Sequence, residues 1–457
     1  MALLARNYIN TLIKHVHYAT VTKNIILLFN AIVENKSIKL FGISKNRAQY
    51  AKLSRLVGLD STVKNILDDK QISKAMLENG ITKMVDENEL LILHDGSDIR
   101  KEYANKLEYL GKVRDLNGNI INGYNSFNTV VVDLSGKTVV PLSTKIYSNK
   151  ADNFISQKDL KLISKPLSKK ATPEQIAHYN NIQAKVTTSE YINSSIVAKE
   201  QIKNSSKKLK KDNPIKKLTH VIDRGADDDG LFKFISSELK DDFVIRLKTS
   251  RITEKTDITV PEKIVTAIFP HKYVKQYIKI QIKSKVYQDV SCIAEYGLQL
   301  NGYNVVRIQL LKRDGSPIFR VPMLLISNKV VTTTEQALNI YHIYLKRAKI
   351  ESVFKFLKEV LGWEESQIRD FAAMKTMLTF CYFVAGYFYE IESTLIQNEV
   401  IQFIAHLGGG KGKVTRTYVL RGLSKMITKI TVDEAIEEFH ITPEQIQEIM
   451  LLAMRGF

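Results

Sequence analysis

The segment from Leu218 to Arg251 constrains the fold of this chain more than any other part of the sequence. The apolar run Leu218–Ile222 predicts a buried strand that ends at Asp223. The segment LFKFISSEL after Gly230 predicts a helix, and DDFVIRLKTSR predicts the next strand. Two parallel strands need a crossover connection, which is usually a helix. The order strand, helix, strand is therefore typical of an α/β sheet.

The segment Glu89–Ile99, ELLILHDGSDI, predicts another buried strand. Its apolar run ends in Asp95-Gly96-Ser97-Asp98, a composition that favours a turn. NTVVVDLSG and KTVVPLSTKIYS predict two further strands, joined by a hairpin at Ser135-Gly136. Asp95 is therefore predicted at the end of a strand, as Asp223 is.

The terminal regions are predicted to be helical. Residues 1–80 show apolar residues at helical spacing, together with a basic stretch. The basic residues of that stretch include Lys45, Arg47, Lys52 and Arg55. This pattern is typical both of a DNA-binding helical module and of a solvated basic face. Residues 396–457 predict a C-terminal helical region, whose last helix begins at Thr442-Pro443 and runs to about Arg455.

The composition favours a polyanionic partner, either DNA or RNA. Lys and Arg number 67 against 48 Asp and Glu, which gives a formal net charge of +19. The lysine-rich run Lys203–Lys217 predicts a loop that either contacts phosphates or is simply solvated. The longest apolar run, Met377–Tyr389, is too short to span a bilayer.

Several common sites are excluded by spacing. Cys292 and Cys381 are far apart, which argues against a disulfide framework or a zinc site and favours a reducing, cytoplasmic compartment. The acidic run Asp227–Gly230 is not an EF-hand loop, because the first and last ligand positions would be Gly225 and Ser236. The glycine-rich run Gly408–Lys413 is not a Walker A motif, because Val414 follows the lysine.

The stretch Tyr344–Lys358, YLKRAKIESVFKFLK, predicts one helix with an unusual stripe. Its four polar members, at about 100° per residue, fall within roughly 60° of one another. They are Tyr344, Arg347, Glu351 and Lys358. A carboxylate with cationic neighbours suits a site that binds a metal ion and phosphates together. From the spacing alone, a solvated helix with ordinary charge pairs is the simpler interpretation.

Three carboxylates change that balance, because Asp95 and Asp223 end predicted strands and Glu351 lies on a later helix. Two-metal phosphoryl transfer uses divalent ions about 3.5–4 Å apart with hard oxygen ligands. Strand ends in one sheet and a helix packed beside it can bring such ligands together. The three residues are therefore candidates for a two-metal site.

The set resembles the bacterial insertion-sequence transposases of the DDE class, in the insertion-sequence-four family. That family carries a signature of Tyr, two residues, Arg, three residues, Glu, six residues and Lys. Tyr344, Arg347, Glu351 and Lys358 match every spacing. HDGSD around Asp95 and IDRGAD around Asp223 resemble the contexts of the family's two aspartates. The resemblance covers roughly residues 85–395.

The resemblance implies a domain order and a fold. It implies a ribonuclease-H-like α/β core made of residues 85–250 and 326–395. An inserted β domain, residues 251–325, separates the two parts, and its strand-rich sequence agrees with this. Residues 1–80 and 396–457 would be the flanking helical regions, the first being a DNA-binding region.

The resemblance also implies a reaction and its partners. Asp95, Asp223 and Glu351 would bind Mg²⁺, with Mn²⁺ as a substitute. Tyr344, Arg347 and Lys358 would hold DNA phosphates. Water would cleave the phosphodiester at the transposon end, and the freed 3′-hydroxyl would attack target DNA or the opposite strand. The implied assembly is a homodimer on paired terminal inverted repeats, in the bacterial cytoplasm at the nucleoid.

Alternatives remain open for residues and for function. Asp98 competes with Asp95, and Asp227 competes with Asp223. A nuclease that cuts without joining and a catalytically silent DNA-binding regulator are the rival functions. Some family members stack a Trp on a flipped base, but here the sole Trp is Trp363, beyond the signature helix. Base flipping would need another aromatic residue of the inserted region and stays unassigned, with a hairpin intermediate. The candidates are Phe269, Tyr273, Tyr277 and Tyr287.

Overall fold

The structure is a computed structural model. It describes residues 2–16, 18–59, 67–115, 117–168, 170–188, 190–211, 213–253, 262–282, 285–438, 442, 443 and 445. The chain divides into two compact units. The sheet unit comprises residues 73–354, and the helical unit comprises residues 1–72 and 355–457. The predicted last helix, from Thr442 to Arg455, lies largely outside the described residues.

The described strands and helices follow in chain order. The strands are β1 (Glu89–Arg100), β2 (Gly111–Arg114), β3 (Ile120–Asp133), β4 (Val139–Tyr147), β5 (Lys217–Ile222), β6 (Asp242–Arg246), β7 (His271–Ile282), β8 (Lys285–Leu300), β9 (Tyr303–Leu311) and β10 (Met323–Ser327). The helices are α1 (Ala2–Ile13), α2 (Ala19–Asn35), α3 (Leu40–Ile43), α4 (Arg47–Leu56), α5 (Asp69–Lys83), α6 (Gln157–Ile163), α7 (Pro173–Thr188), α8 (Ser194–Leu209), α9 (Asp229–Lys233), α10 (Thr334–Leu345), α11 (Ala348–Glu359), α12 (Phe371–Thr394), α13 (Glu399–Leu407) and α14 (Arg416–Glu438).

The strands form one large mixed sheet, which confirms the α/β prediction. Its order is β2-β3-β1-β5-β6-β10-β9-β8-β7. β2 pairs with the beginning of β3, and β4 pairs with β3 from Asn125 onward. β5 runs parallel to β1 and to β6, and the other neighbouring pairs are antiparallel. The predicted strand–helix–strand unit is thus confirmed, with α9 and a π-helical turn, Phe234–Glu238, as the crossover. β7, β8 and β9 continue the same sheet.

The centre of the sheet is built from continuous apolar runs. Leu90 to Leu93 of β1 are fully buried, and Val221, Phe243 and Val244 of the neighbouring strands are fully buried as well. Parallel strands that are covered on both faces need such runs rather than an alternating pattern. This explains why the local apolar signal was strong at β1 and β5, whose ends carry the candidate aspartates.

The turn predicted at Asp95–Asp98 is wrong, because β1 continues through it to Arg100. β3 pairs with β1 along this whole stretch, with Asp95 opposite Asn128 and Asp98 opposite Asn125. The backbone bonds of this long partner strand outweigh the turn preference of the sequence. The hairpin predicted at Ser135-Gly136 is confirmed, since it joins β3 to β4.

The loop predicted for Lys203–Lys217 is also wrong over most of its length. Its first half belongs to helix α8, and Lys217 already begins β5. Ile202 and Leu209 are buried along one side of α8, so the lysines lie on the opposite, solvated side. The helix forms because this apolar side packs on the sheet, which the lysine count alone did not indicate.

The stretch Tyr344–Lys358 is not one continuous helix, as predicted, but two helices separated by a turn. α10 ends at Leu345 and α11 begins at Ala348. Around the turn, backbone N–H groups bond the carbonyl three residues earlier instead of four, at 2.9–3.1 Å. Neither Gly nor Pro lies there, so the sequence held no signal for the break. It coincides with side-chain contacts of Tyr344 and Arg347, described below.

The helical unit contains the most apolar helix, α12. One helix of the described residues, Phe371–Thr394, is long and apolar enough to cross a membrane, and 83% of its most apolar window is buried inside the protein. The Tyr8 hydroxyl of α1 donates a 2.9 Å hydrogen bond to the carbonyl of Phe383. Trp363 is fully buried, and its indole N–H donates to the carbonyl of Leu378 at 2.9 Å. Burial and these bonds are typical of a core helix.

Candidate active site

The first candidate aspartate, Asp95, lies within β1 and carries an ion pair. Its Oδ2 atom is 2.7 Å from Nη1 of Arg347, and 23% of its side chain is exposed. Burial raises the pKa of Asp95 to about 6. Attraction by Arg347 opposes this rise, whereas repulsion by the carboxylates of Asp223 and Glu351 adds to it.

The second candidate, Asp223, directly follows β5, as predicted. The Tyr344 hydroxyl donates a 2.8 Å hydrogen bond to its Oδ1 atom. Nη1 of Arg246, at the end of β6, lies 3.9 Å from the same atom. Burial alone would raise the pKa of Asp223, but bonds from the Arg224 N–H and the Tyr344 hydroxyl outweigh it and lower the pKa. Asp223 is therefore held in its charged form.

The third candidate, Glu351, lies in the first turn of α11 and is half exposed. Its Oε1 atom accepts a hydrogen bond from Nη2 of Arg347, four residues earlier. Arg347 thus bridges Asp95 and Glu351 with two different nitrogens, and only 15% of its side chain is exposed. We call Asp95, Asp223 and Glu351 the acidic cluster.

The neighbouring signature residues keep their protons. Burial and the nearby Asp223 carboxylate raise the pKa of the Tyr344 phenol. Burial alone would lower the pKa of Arg347, but Tyr344 and the three carboxylates around the guanidinium outweigh burial and raise the pKa. Tyr344 and Arg347 are therefore hydrogen-bond donors at neutral pH.

Five of the six predicted site residues come together in the sheet unit. They are Asp95, Asp223, Tyr344, Arg347 and Glu351. The sixth, Lys358, lies in the helical unit near the end of α11. Its ammonium group forms an ion pair with Glu364 at 3.1 Å.

The two competing aspartates are engaged in other contacts. Asp98 accepts hydrogen bonds from the Asn125 side chain at 3.2 Å and from the backbone N–H of Arg114 at 3.3 Å. Asp227 is buried and accepts a 2.9 Å bond from the N–H of Lys248. These contacts fasten β2 and the segment after β6.

The donor set of the acidic cluster fits divalent cations. Carboxylate oxygens are the ligands that Mg²⁺ and Mn²⁺ prefer. Asp95 is desolvated and repelled by Asp223 and Glu351, so extra positive charge would stabilise the group. In the described part of the chain, no three His, Cys, Asp or Glu side chains lie close enough to hold a metal ion together. The guanidinium of Arg347 supplies the positive charge instead.

A second polar group, which the sequence analysis missed, lies beneath the acidic cluster. Nδ1 of His94 is 3.0 Å from the Thr129 hydroxyl, and Nε2 of His94 is 2.9 Å from Nδ1 of His220. Nε2 of His220 is 3.1 Å from Oδ2 of Asp241, which also accepts from the Ser206 hydroxyl at 2.5 Å. We call Thr129, His94, His220 and Asp241 the histidine chain. All four side chains are buried.

The chemistry of Asp241 fixes the direction of the last bond in this chain. Asp241 is ion-paired with Lys210, and its pKa is lowered because bonds from His220, Lys210 and Ser206 outweigh burial. An ionised carboxylate only accepts, so His220 donates to Asp241 through Nε2. Burial and the neighbouring His220 lower the pKa of His94, which keeps that ring neutral.

The aromatic candidates for base flipping differ in exposure. Phe269 is buried, with the Arg307 guanidinium 4.5 Å from its ring centre. The Tyr277 hydroxyl lies 3.4 Å from Nε2 of His342, and Tyr287 is partly buried. Tyr273 is 43% exposed on the edge strand β7. Of the four, Tyr273 is the most accessible to a nucleic acid.

Residues 177–385 match the family model of the transposase DDE domain. The matched range contains Asp223 and the stretch Tyr344–Lys358, and it begins after Asp95. No curated protein matches the chain. The family match supports a DDE transposase, and a domain of this type indicates a metal-dependent enzyme that cleaves DNA.

Proposed function

We propose that this protein is a DNA transposase of the insertion-sequence-four family, with a ribonuclease-H-like core. It binds transposon ends, cleaves the phosphodiester there and joins the 3′-hydroxyl to target DNA. The observation that carries this proposal is the convergence of Asp95, Asp223 and Glu351, from three different elements, in the sheet unit. Two of these residues lie in the matched range.

The acidic cluster would hold two divalent ions. These would be Mg²⁺, for which Mn²⁺ can substitute. When bound, such ions supply Lewis-acid activation of the attacking oxygen and stabilisation of the leaving oxygen. Asp223 is already ionised in the free protein, because its pKa is lowered. The pKa of Asp95 is about 6, so this carboxylate is also available for ligation at neutral pH.

The signature residues would bind the DNA backbone. Arg347 presents a planar fork of N–H donors, which matches two oxygens of one phosphate. The Tyr344 hydroxyl keeps its proton and can donate to a phosphate oxygen. Lys358 is a point charge at the end of α11 and adds a contact that is less directional. Tyr344 and Arg347 would fix the scissile strand against the acidic cluster.

The wider assembly follows from the same proposal. Terminal inverted repeats and target DNA are the partners, and a net charge of +19 favours their binding. Residues 1–80 are the proposed end-binding region, residues 251–325 the insertion, and residues 396–457 the C-terminal helical region. The protein would act as a homodimer on paired ends, in the cytoplasm at the nucleoid.

A strand-transfer assay tests the proposal against its alternatives. The full-length protein is incubated with DNA from the ends of its own element and a target plasmid, with Mg²⁺ or with a chelator. We expect metal-dependent cuts at the ends and a product joined through the 3′-hydroxyl. Cuts without any joined product would support the nuclease. Binding without cuts would support the silent regulator.

A further inference from the structure

The guanidinium of Arg347 occupies the centre of the acidic cluster. Nη1 lies 2.7 Å from Oδ2 of Asp95, and Nη2 donates to Oε1 of Glu351, so the two bonds use different nitrogens of one guanidinium. The side chain is mostly buried, so water screens these bonds only weakly. Arg347 is therefore the resident counter-ion of the free protein.

This arrangement conflicts with the roles proposed for the same atoms during cleavage. Oδ2 of Asp95 and Oε1 of Glu351 already accept from Arg347, so a divalent ion that ligates either oxygen must displace an N–H group. An N–H group that bonds a carboxylate oxygen is likewise not available to a phosphate. A site in which the ion ligates these two oxygens therefore differs from the free site in the position of Arg347.

We infer that Arg347 is a placeholder cation, which holds the acidic cluster together in the free protein and moves to a DNA phosphate when divalent ions enter. This inference rests on the proposed function and concerns the regulation of the same site. Its consequence is that metal and Arg347 compete for Asp95 and Glu351. Wild-type protein without DNA therefore binds divalent ions more weakly than its three carboxylates would allow.

The position of Arg347 in the chain suits such a movement. It lies in the turn between α10 and α11, not within a regular helix. Tyr344, one turn earlier, makes the equivalent contact with Asp223. Tyr344 lies in the last turn of α10 and Arg347 in the turn that follows, so both donors reach the carboxylates from one short segment.

Arg246 provides a matched control for this inference. It is also an arginine near the cluster, but its Nη1 atom lies 3.9 Å from Asp223, and within the described part of the chain it bonds neither Asp95 nor Glu351. Removing either arginine removes one positive charge from the site. A general charge effect predicts similar gains in metal affinity for both, whereas competition for the ligands predicts a much larger gain for Arg347.

The test is Mn²⁺ binding to the full-length protein without DNA. Binding is measured by electron paramagnetic resonance, as the loss of the signal of free Mn²⁺. The proteins are wild type, Arg347→Gln, Arg246→Gln and Asp95→Asn. We expect Arg347→Gln to bind Mn²⁺ about 10–100-fold more tightly than wild type, since hydrogen bonds between charged groups are worth this much. Arg246→Gln should gain less than about threefold, because it affects the ion through space alone.

The outcomes separate this inference from the proposed function. Equal or weaker Mn²⁺ binding by Arg347→Gln, with binding lost in Asp95→Asn, would overturn the placeholder and leave the metal site standing. Equal gains in Arg347→Gln and Arg246→Gln would reduce it to a charge effect and overturn it as well. No Mn²⁺ binding by any of the four proteins would overturn both. If Arg347→Gln does not fold, Arg347→Met, which keeps the apolar stem, takes its place with the same expectations.

Discussion

The acidic cluster and the histidine chain both include a residue of β1 and a residue in or directly after β5, yet they differ in burial and in hydrogen bonding. His94 and Asp95 are adjacent in β1, and His220 precedes Asp223 at the end of β5. Successive residues of a strand point to opposite faces. The histidine chain is sealed and each of its ring nitrogens has a partner, whereas the acidic cluster shares one guanidinium and leaves Glu351 half exposed.

This contrast separates a polar group that we expect to stabilise the fold from one that we expect to take part in the reaction. A buried network in which every member is satisfied stabilises the strands that it joins. In the acidic cluster, burial and the repulsion by Asp223 and Glu351 raise the pKa of Asp95, so the charged carboxylate is destabilised there. A site that will accept cations is expected to be under-compensated in their absence. We therefore propose that the histidine chain serves the fold and that the acidic cluster serves the reaction.

The largest expected effect is a loss of DNA cleavage when a carboxylate of the acidic cluster is replaced. Glu351→Gln should lower the rate of DNA strand cleavage by about 10²–10³-fold or more, because it removes a charged ligand from the reacting site. End binding should stay within a few fold, since Glu351 contacts no phosphate in the proposal. Gel-based cleavage and mobility-shift assays on the same end DNA check both. Normal cleavage would remove Glu351 from the site.

The histidine chain should show the reverse behaviour. His220→Leu removes one buried bond from Asp241 and one from His94, so we expect a loss of about 2–4 kcal/mol in the free energy of unfolding. His178→Leu is the matched control, because its side chain is 56% exposed and should change the free energy by less than about 0.5 kcal/mol. Urea unfolding followed by circular dichroism measures both. A neutral His220→Leu would show that the chain contributes nothing to the fold.

The pH dependence of stability should identify Asp95. Its pKa is about 6 in the folded protein and 3.8 in a model peptide, so the folded state holds the extra proton between these values. Stability contributed by this proton is present below pH 4 and is lost as the pH rises to 6. Relative to Asp95→Asn, the wild type should lose about 2–3 kcal/mol between pH 4 and 7. Parallel urea midpoints for the two proteins across this range would contradict the raised pKa.

The smallest effect concerns the hydroxyl of Tyr344. Tyr344→Phe keeps the buried ring and removes only the bond to Asp223, so unfolding should become easier by about 1 kcal/mol. Thermal unfolding of the two proteins measures the change. Cleavage should fall about tenfold if the same hydroxyl binds a phosphate. A stability loss above about 3 kcal/mol would place Tyr344 with the histidine chain, as a residue of the fold.

The parts of the site that could be predicted from the sequence are those with a local signal. Apolar runs before Asp95 and Asp223 reveal buried strands, because central strands of such a sheet are apolar on both faces. The spacing of Tyr344, Arg347 and Glu351 is likewise a local pattern. These signals were enough to find the α/β fold and the residues that converge.

The parts that could not be predicted depend on contacts between distant residues. β1 runs through a turn-like sequence because β3 pairs with it, and the helix breaks at Lys346–Arg347 without Gly or Pro. The histidine chain joins residues 126 positions apart, His94 and His220. A histidine inside an apolar strand does signal that a buried partner must exist, but it does not say which one.

The most direct test of the central claim compares cleavage of terminal DNA by variants of four carboxylates. Asp95→Asn, Asp223→Asn and Glu351→Gln alter the acidic cluster, and Asp98→Asn is the matched control on the same strand as Asp95. We expect the Mg²⁺-dependent cuts to be lost in the three variants of the acidic cluster and retained in Asp98→Asn, while all four variants bind the DNA. Loss of cleavage in Asp98→Asn with retention in Asp95→Asn would contradict it.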